Sequence, residues 1–252
     1  MNRLPAFLLV FFPVAASAQQ GTVFYDYAVQ YDFEVPERVP AEWRDQIPSS
    51  NVGSLVLLFN ESASLMIPAP KPEEEEELTD VELRSQRLTM RLKMGSSSRS
   101  DHETLLGSYV SLEDRAASET VEFMSRTFLI QSTQPSYAWR LSDEQSEFLG
   151  YTVQKATAVL DSTVIEAWFT PEIPVSTGPG LFGGLPGLIL VVSVDDGHET
   201  FSATEVSLGD LEEGAITAPK DGQKVTREEY EEIVVEKLEE IAMSRRTRGD
   251  RR

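Results

Sequence analysis

Over residues 22–33 the sequence TVFYDYAVQYDF puts Val23, Tyr25, Tyr27, Val29, Tyr31 and Phe33 at alternate positions, with Asp26, Gln30 and Asp32 between them. Successive side chains of a strand point to opposite faces, so a period of two sustained over this length predicts a long half-buried β-strand. Pro36 and Pro40 end it, 41–46 reads as one helical turn, and strands follow over 54–60 and 62–67. Further short apolar runs cover 88–94, 108–112, 120–124, 127–132, 137–141, 149–159, 163–169, 188–194 and 200–208, separated by polar turns at hairpin spacing. Short connections without an intervening helical period predict a mainly β protein: one antiparallel sheet spanning 19–225. The last element differs. Thr226, Arg227, Glu228 and Glu229 form a capping box, and Tyr230, Ile233, Val234, Leu238, Ile241 and Ala242 recur at helical spacing. An amphipathic C-terminal helix is expected over 226–244, docked on the sheet. Five arginines between Arg245 and Arg252 then read as a basic, disordered tail.

Two stretches break the strand pattern. Residues 68–80, PAPKPEEEEELTD, cannot bury enough apolar surface to offset their ordering entropy and read as a mobile acidic loop. Residues 171–190, PEIPVSTGPGLFGGLPGLIL, run from a proline- and glycine-dense loop into an unbroken apolar strand. Proline fixes φ and glycine opens φ values closed to other residues, so Pro174, Gly178, Pro179, Gly183, Gly184, Pro186 and Gly187 specify one loop path. The glycines do not make a phosphate cradle, because no Lys-Ser or Lys-Thr pair follows and the loop leads into a strand.

The hexapeptide Gly184-Leu185-Pro186-Gly187-Leu188-Ile189 resembles the signature of the GLPGLI proteins, an exported Bacteroidetes-type family without an established biochemical activity. The resemblance covers about 70 residues. It extends through Trp139-Arg140-Leu141, Gly150-Tyr151, Lys155-Ala156-Thr157, Ala167-Trp168-Phe169-Thr170, Glu172 to Ser176, and Gly178-Pro179. Two positions depart from the family pattern: Val153, where many members carry cysteine, and Val191, where an acidic residue is frequent. The succession of strands with a late Pro-Gly loop is also similar to the strongly curved, half-barrel sheets of lipoprotein-carrier-like proteins. That likeness implies a concave face that receives a hydrophobic ligand or is plugged by the terminal helix.

Composition narrows the function classes. The chain opens MNRLPAFLLVFFPVAASAQQ, with Arg3, a short apolar run and a small-residue box, which predicts a signal peptide over 1–18 cleaved near Ala18. The mature protein is then periplasmic or secreted, with no transmembrane segment, since no later segment approaches the roughly 20 apolar residues that spanning requires. No cysteine occurs, which removes thiolate nucleophiles and thiolate metal sites. The net charge of −20 argues against nucleic acid as a partner.

Five large aromatic residues lie nearest the Pro-Gly loop: Trp139, Tyr151, Trp168, Phe169 and Phe182. They either pack in the core or line a pocket for a hydrophobic or peptide-like ligand or an envelope partner protein. Asp195, Asp196, His198 and Glu199 gather three carboxylates and an imidazole around an Asp-Gly hairpin turn, which offers a divalent-metal site as an alternative. Glu166 and Glu172 are the remaining carboxylate pair for an enzymatic alternative. No Gly-x-Ser-x-Gly elbow or His-Glu-x-x-His pair is present, and no cofactor is implied. The sequence thus points to a non-enzymatic binding protein of the cell envelope.

The acidic, lysine-poor composition, with 6 lysines against 16 arginines, carries a physical consequence. Screening relieves the self-repulsion of so much negative charge, so the unfolding midpoint should rise when salt is raised to the molar range. Thermal melts across a sodium chloride series check this, and a flat or falling midpoint counts against it.

Overall fold

The structure, a computed structural model, describes residues 19–249 other than 34, 38, 45, 71–78, 97, 98 and 100. The expected signal peptide and most of the acidic run therefore lie outside the described residues. Twelve strands form one sheet: β1 (Gly21–Gln30), β2 (Ser50–Phe59), β3 (Ala63–Pro68), β4 (Glu103–Ser111), β5 (Ala116–Phe123), β6 (Arg126–Thr133), β7 (Arg140–Phe148), β8 (Tyr151–Leu160), β9 (Thr163–Thr170), β10 (Leu188–Val194), β11 (Glu199–Leu208) and β12 (Gln223–Thr226). Helices α1 (Ala41–Arg44), α2 (Asp80–Gly95) and α3 (Arg227–Gly249) complete it. The strand order is β12-β6-β5-β4-β3-β2-β1-β11-β10-β9-β8-β7, with the first and last of these at open edges.

Eleven antiparallel strands follow the expected hairpin logic, but β12 pairs with β6 in parallel, so the sheet is mixed rather than wholly antiparallel. Four residues at the foot of a helix leave no apolar alternation to read, and this strand had no signal of its own. The 88–94 run is also corrected. It lies inside α2, whose N-cap Thr79 accepts from the Glu82 amide while Glu82 bonds back to the Thr79 backbone. This capping box, followed by Leu, Met, Arg and Lys residues that favour helix, outweighs the alternation of Leu88, Met90, Leu92 and Met94. Pro68 closes β3 and Asp80 begins α2, so both ends of the 68–80 stretch belong to regular elements. At the C-terminus α3 continues past Ser244 to Gly249, as its arginine-rich end permits, instead of giving way to a tail at Arg245.

Topology forces the sheet to curl. From β6 to β7 there are ten strand-to-strand steps, about 48 Å if the sheet were flat. The chain joins them between Thr133 and Arg140, seven residue steps that reach at most about 25 Å. The two ends must therefore bend toward each other. The Arg115 side chain holds this connector by donating to the carbonyls of Gln134 and Pro135 at 2.9 and 2.7 Å.

The space inside the curl holds two apolar cores. The larger contains Val23, Tyr25, Leu55, Leu57, Phe59 and Met66 from the first three strands. It closes over the segment between β9 and β10, whose Ile173, Val175 and Leu185 are buried within it. Each such side chain contributes about 1.5–3 kcal/mol relative to exposure. The smaller core joins Val121, Phe123, Phe128 and Ile130 of β5 and β6 to Tyr230 and Val234 of α3. The helix docks by its first turns only, and the phenol of Tyr230 donates to Glu103 at 2.8 Å.

The Pro-Gly segment links two neighbouring strands, as the position of the apolar run after it implied, but it does more than seal one end. Thr177 Oγ1 donates to Ser64 Oγ of β3 at 2.9 Å, and the Gly180 amide approaches the Met66 sulfur at 3.1 Å. The loop thus reaches β3, four steps from β10 and five from β9 in the sheet. Tyr25 hydroxyl donates to the Ile189 carbonyl at 2.5 Å, where the β9–β10 pairing is interrupted by a bulge.

Two glycines have separate reasons. Gly184 has φ of 84° with no atom closer than 3.7 Å to an added Cβ, whereas at Gly187 that Cβ would stand 2.0 Å from the Thr170 carbonyl oxygen. Gly184→Ala should therefore cost about 1–2 kcal/mol from backbone conformation alone. Gly187→Ala must displace backbone and should cost distinctly more. Urea unfolding of both variants tests the ordering.

Candidate functional site

A row of aromatic rings leads from the Pro-Gly loop to a cavity beside β1 and β11. Trp139 Nε1 donates to the Gly183 carbonyl at 2.8 Å, fixing the indole against the loop. Trp139 lies 5.2 Å from Tyr137 between ring centroids, Tyr137 stacks on Phe182 at 5.5 Å, Phe182 meets Phe201 at 6.2 Å and Phe201 meets Tyr27 at 6.4 Å. These separations are those at which aromatic pairs attract. Alternation on β1 and β11 puts Tyr27 and Phe201 in register on the same face. Gly53 stands opposite Tyr27 on β2, and a Cβ there would come within 2.7 Å of the ring, so the glycine makes room for it.

The row ends at a cavity of about 390 Å³ whose apolar lining is Tyr27, Val29, Leu55, Leu105 and Phe201. Leu105 packs against both apolar cores, which places the cavity at their junction. Polar groups are interleaved with these apolar residues in the lining: Asp32, Asn51, Arg99, Glu103, Thr104, His198 and Glu199, with Asn51 and Glu199 directly paired to Val29. Arg99 is already engaged, since its Nε donates to Glu103 Oε2 at 2.6 Å and its Nη2 to Oε1 at 3.3 Å. His198 Nε2 lies 3.8 Å from Asp32. Burial, reinforced by the charge of Glu103 and opposed by His198, raises the Glu199 carboxyl above the usual carboxylate range. Burial and then the charge of Glu199 push the Tyr137 phenol up to about 12, so one carboxylate acts on both cavity and aromatic row.

The five aromatic candidates separate. Trp139 and Phe182 belong to the row. Phe169 is buried in the larger core, and Tyr151 packs half-buried against it. Trp168 alternates with Phe169 onto the other face of β9, where its ring lies 5.7 Å from the Lys155 ammonium, itself 2.7 Å from Glu166. Glu166 and Glu172 are not a working pair: Glu172 accepts instead from the Thr152 amide at 2.7 Å. At the turn after β10, Asp195 and Asp196 are exposed while His198 and Glu199 face the cavity. Among the described residues no group of three or more histidine or carboxylate side chains is placed to hold a metal ion, so the four do not converge. Tyr27, Tyr137, Phe201, Leu105, Arg99 and Glu103 were not singled out from sequence. They lie on elements far apart in the chain, and only the alternation of β1 marked Tyr27 as inward.

The raised Glu199 carboxyl has a stability consequence. A carboxyl with a folded-state pKa above its unfolded value contributes fully below the unfolded value, and that contribution is lost as pH rises through the folded value. Glu199→Gln removes this loss, so the variant should be more stable than the parent at pH 7 and lose its advantage below about pH 4. Chemical denaturation across that pH range provides the check.

A family model described as a protein of unknown function (Porph_ging) matches residues 158–191, which hold β9, the Pro-Gly loop and the start of β10. No curated protein matches the sequence. Two crystal structures of PNGF-II, in space groups P21 and C2, resemble the fold with TM-scores of 0.52 and 0.51 at 15% and 17% identity, covering 88% and 86% of this chain. The chain spans about a third of PNGF-II, 34% and 33% in the two structures, and at this identity the likeness is one of fold alone.

Proposed function

We propose that the protein is a non-enzymatic binding protein of the cell envelope, of GLPGLI type and exported by its 1–18 segment, that holds an amphiphilic, hydrophobic or peptide-like ligand in the cavity at the end of the aromatic row. One observation carries the reading: a preformed cavity of about 390 Å³ is lined by aromatic and aliphatic side chains together with three carboxylates, an arginine and a histidine. Its size falls in the range of sites for small organic ligands, which combine apolar lining with a few placed polar groups. An apolar body would lie against Phe201, Tyr27 and Leu105. A hydrogen-bond donor would face Glu199. The Pro-Gly loop supports this indirectly, since its buried residues are occupied in filling the fold and its contribution to binding is to seat Phe182 behind Phe201.

The probe N-phenyl-1-naphthylamine, an apolar amine whose fluorescence rises on transfer from water, tests the reading. Asn51 lies in the cavity lining on β2, and Asn51→Trp fills the space without removing a side chain of either core. The parent should enhance the probe's fluorescence saturably, and the variant should bind at least about tenfold more weakly, a loss of 1.4 kcal/mol, with an unchanged melting temperature. Equal binding by both proteins, or no saturable binding by the parent, overturns it.

A further inference from the structure

A second cavity, of about 440 Å³, lies on the other side of the turn that carries Arg99 and Glu103, between α2 and the β5–β6 turn. Asp101 lines it with only 2% of its surface exposed, and both of its carboxylate oxygens are buried without a hydrogen-bond partner among the described residues. Thr89 of α2 lines the same cavity, and its Oγ1 is also buried and unpartnered. A buried carboxylate left unpaired is among the costlier arrangements a fold can carry, and Asp101 and Thr89, both in the wall of this cavity, hold oxygens that lack a donor.

Among the described residues, the basic groups nearest the cavity do not supply it. Lys93 lines the cavity, but its ammonium lies over the Tyr31 ring at 5.0 Å from the centroid. His102 directs Nε2 to the Ser96 carbonyl at 2.9 Å. Arg99, two residues before Asp101, is spent on Glu103. The rest of the lining includes Met90, Met94 and Met124, flexible apolar side chains that adapt to an alkyl stem. Glu122 stands exposed in the lining as a further negative charge.

We infer that the cavity between α2 and the β5–β6 turn binds an organic cation, an ammonium or guanidinium on an alkyl stem, with Asp101 and Thr89 receiving the charged head and the methionines covering the stem. Guanidinium suits the pair best, because its planar fork of N–H donors serves both carboxylate oxygens at once. This site is separate from the cavity proposed above and stands or falls independently of it. The head could be carried by a free amine or by a basic side chain of a peptide, and the two are separable by probe.

Isothermal titration of the full mature chain with agmatine, with the blocked tripeptide acetyl-Gly-Arg-Gly-amide and with neutral butylurea tests the assignment. Agmatine, the tripeptide or both should bind while butylurea does not, and Asp101→Asn should weaken the binding at least about tenfold. Binding of agmatine alone identifies a free amine, and binding of the tripeptide alone identifies a peptide side chain. Because the asparagine removes an unpaired buried charge, the ligand-free variant should melt at or above the parent temperature. The proposal is overturned by absence of binding to both cations, by equal binding to Asp101→Asn, by a lowered melting temperature of that variant, or by tighter, Asp101-dependent binding of calcium or zinc.

Discussion

A seven-step connection between β6 and β7 sets the shape of this molecule, because it ties together strands ten steps apart in a single sheet. A sheet bent to satisfy it encloses a space that side chains of the strands alone cannot fill, since each strand turns only every second residue inward. The Pro-Gly segment between β9 and β10 supplies the missing volume with Ile173, Val175 and Leu185, and α3 covers the remainder with Tyr230 and Val234. The cavity bordered by Leu105 lies where these two fillings meet without closing the gap.

The same geometry explains why the distinctive hexapeptide and the candidate site are different places. Gly184 to Ile189 is constrained by backbone conformation, by the contact of Gly187 with Thr170 and by the bond from Tyr25 to Ile189. Each of these is an internal contact. The cavity lies at the far end of the ring row, at Phe201, Tyr27 and Glu199, on β1 and β11. A distinctive sequence motif and an open cavity need not coincide when the motif is part of the core.

The strands were legible because they are half-buried, and alternation records burial on one face. β1, β9, β10 and β11 lie within a few residues of where the pattern put them. In α2 the alternation of Leu88, Met90, Leu92 and Met94 was a coincidence of a weakly buried helix, and the true signal was the Thr79–Glu82 capping box just upstream. β12 was invisible because its parallel partner β6 lies 90 and more residues earlier, and four residues carry no period. In the site, residue type marked Trp139, Phe182, His198 and Glu199, while Phe201 and Tyr137 gained meaning only from pairing across β1, β11 and the β6–β7 connector. Asp101 stood out in no pattern. Its interest comes from partners it lacks in space, which no run of letters encodes.

The placement of the Pro-Gly segment inside the sheet also sets an order of events during synthesis. Leu55, Leu57, Phe59 and Met66 face a core whose other half is not made until residues 171–190 emerge, and β1 cannot find its partner β11 until later still. The N-terminal half therefore spends its early life as exposed apolar strands without an interior, the condition in which chains of high contact order fold slowly and associate with one another. Abundant negative charge keeps such chains apart while they wait.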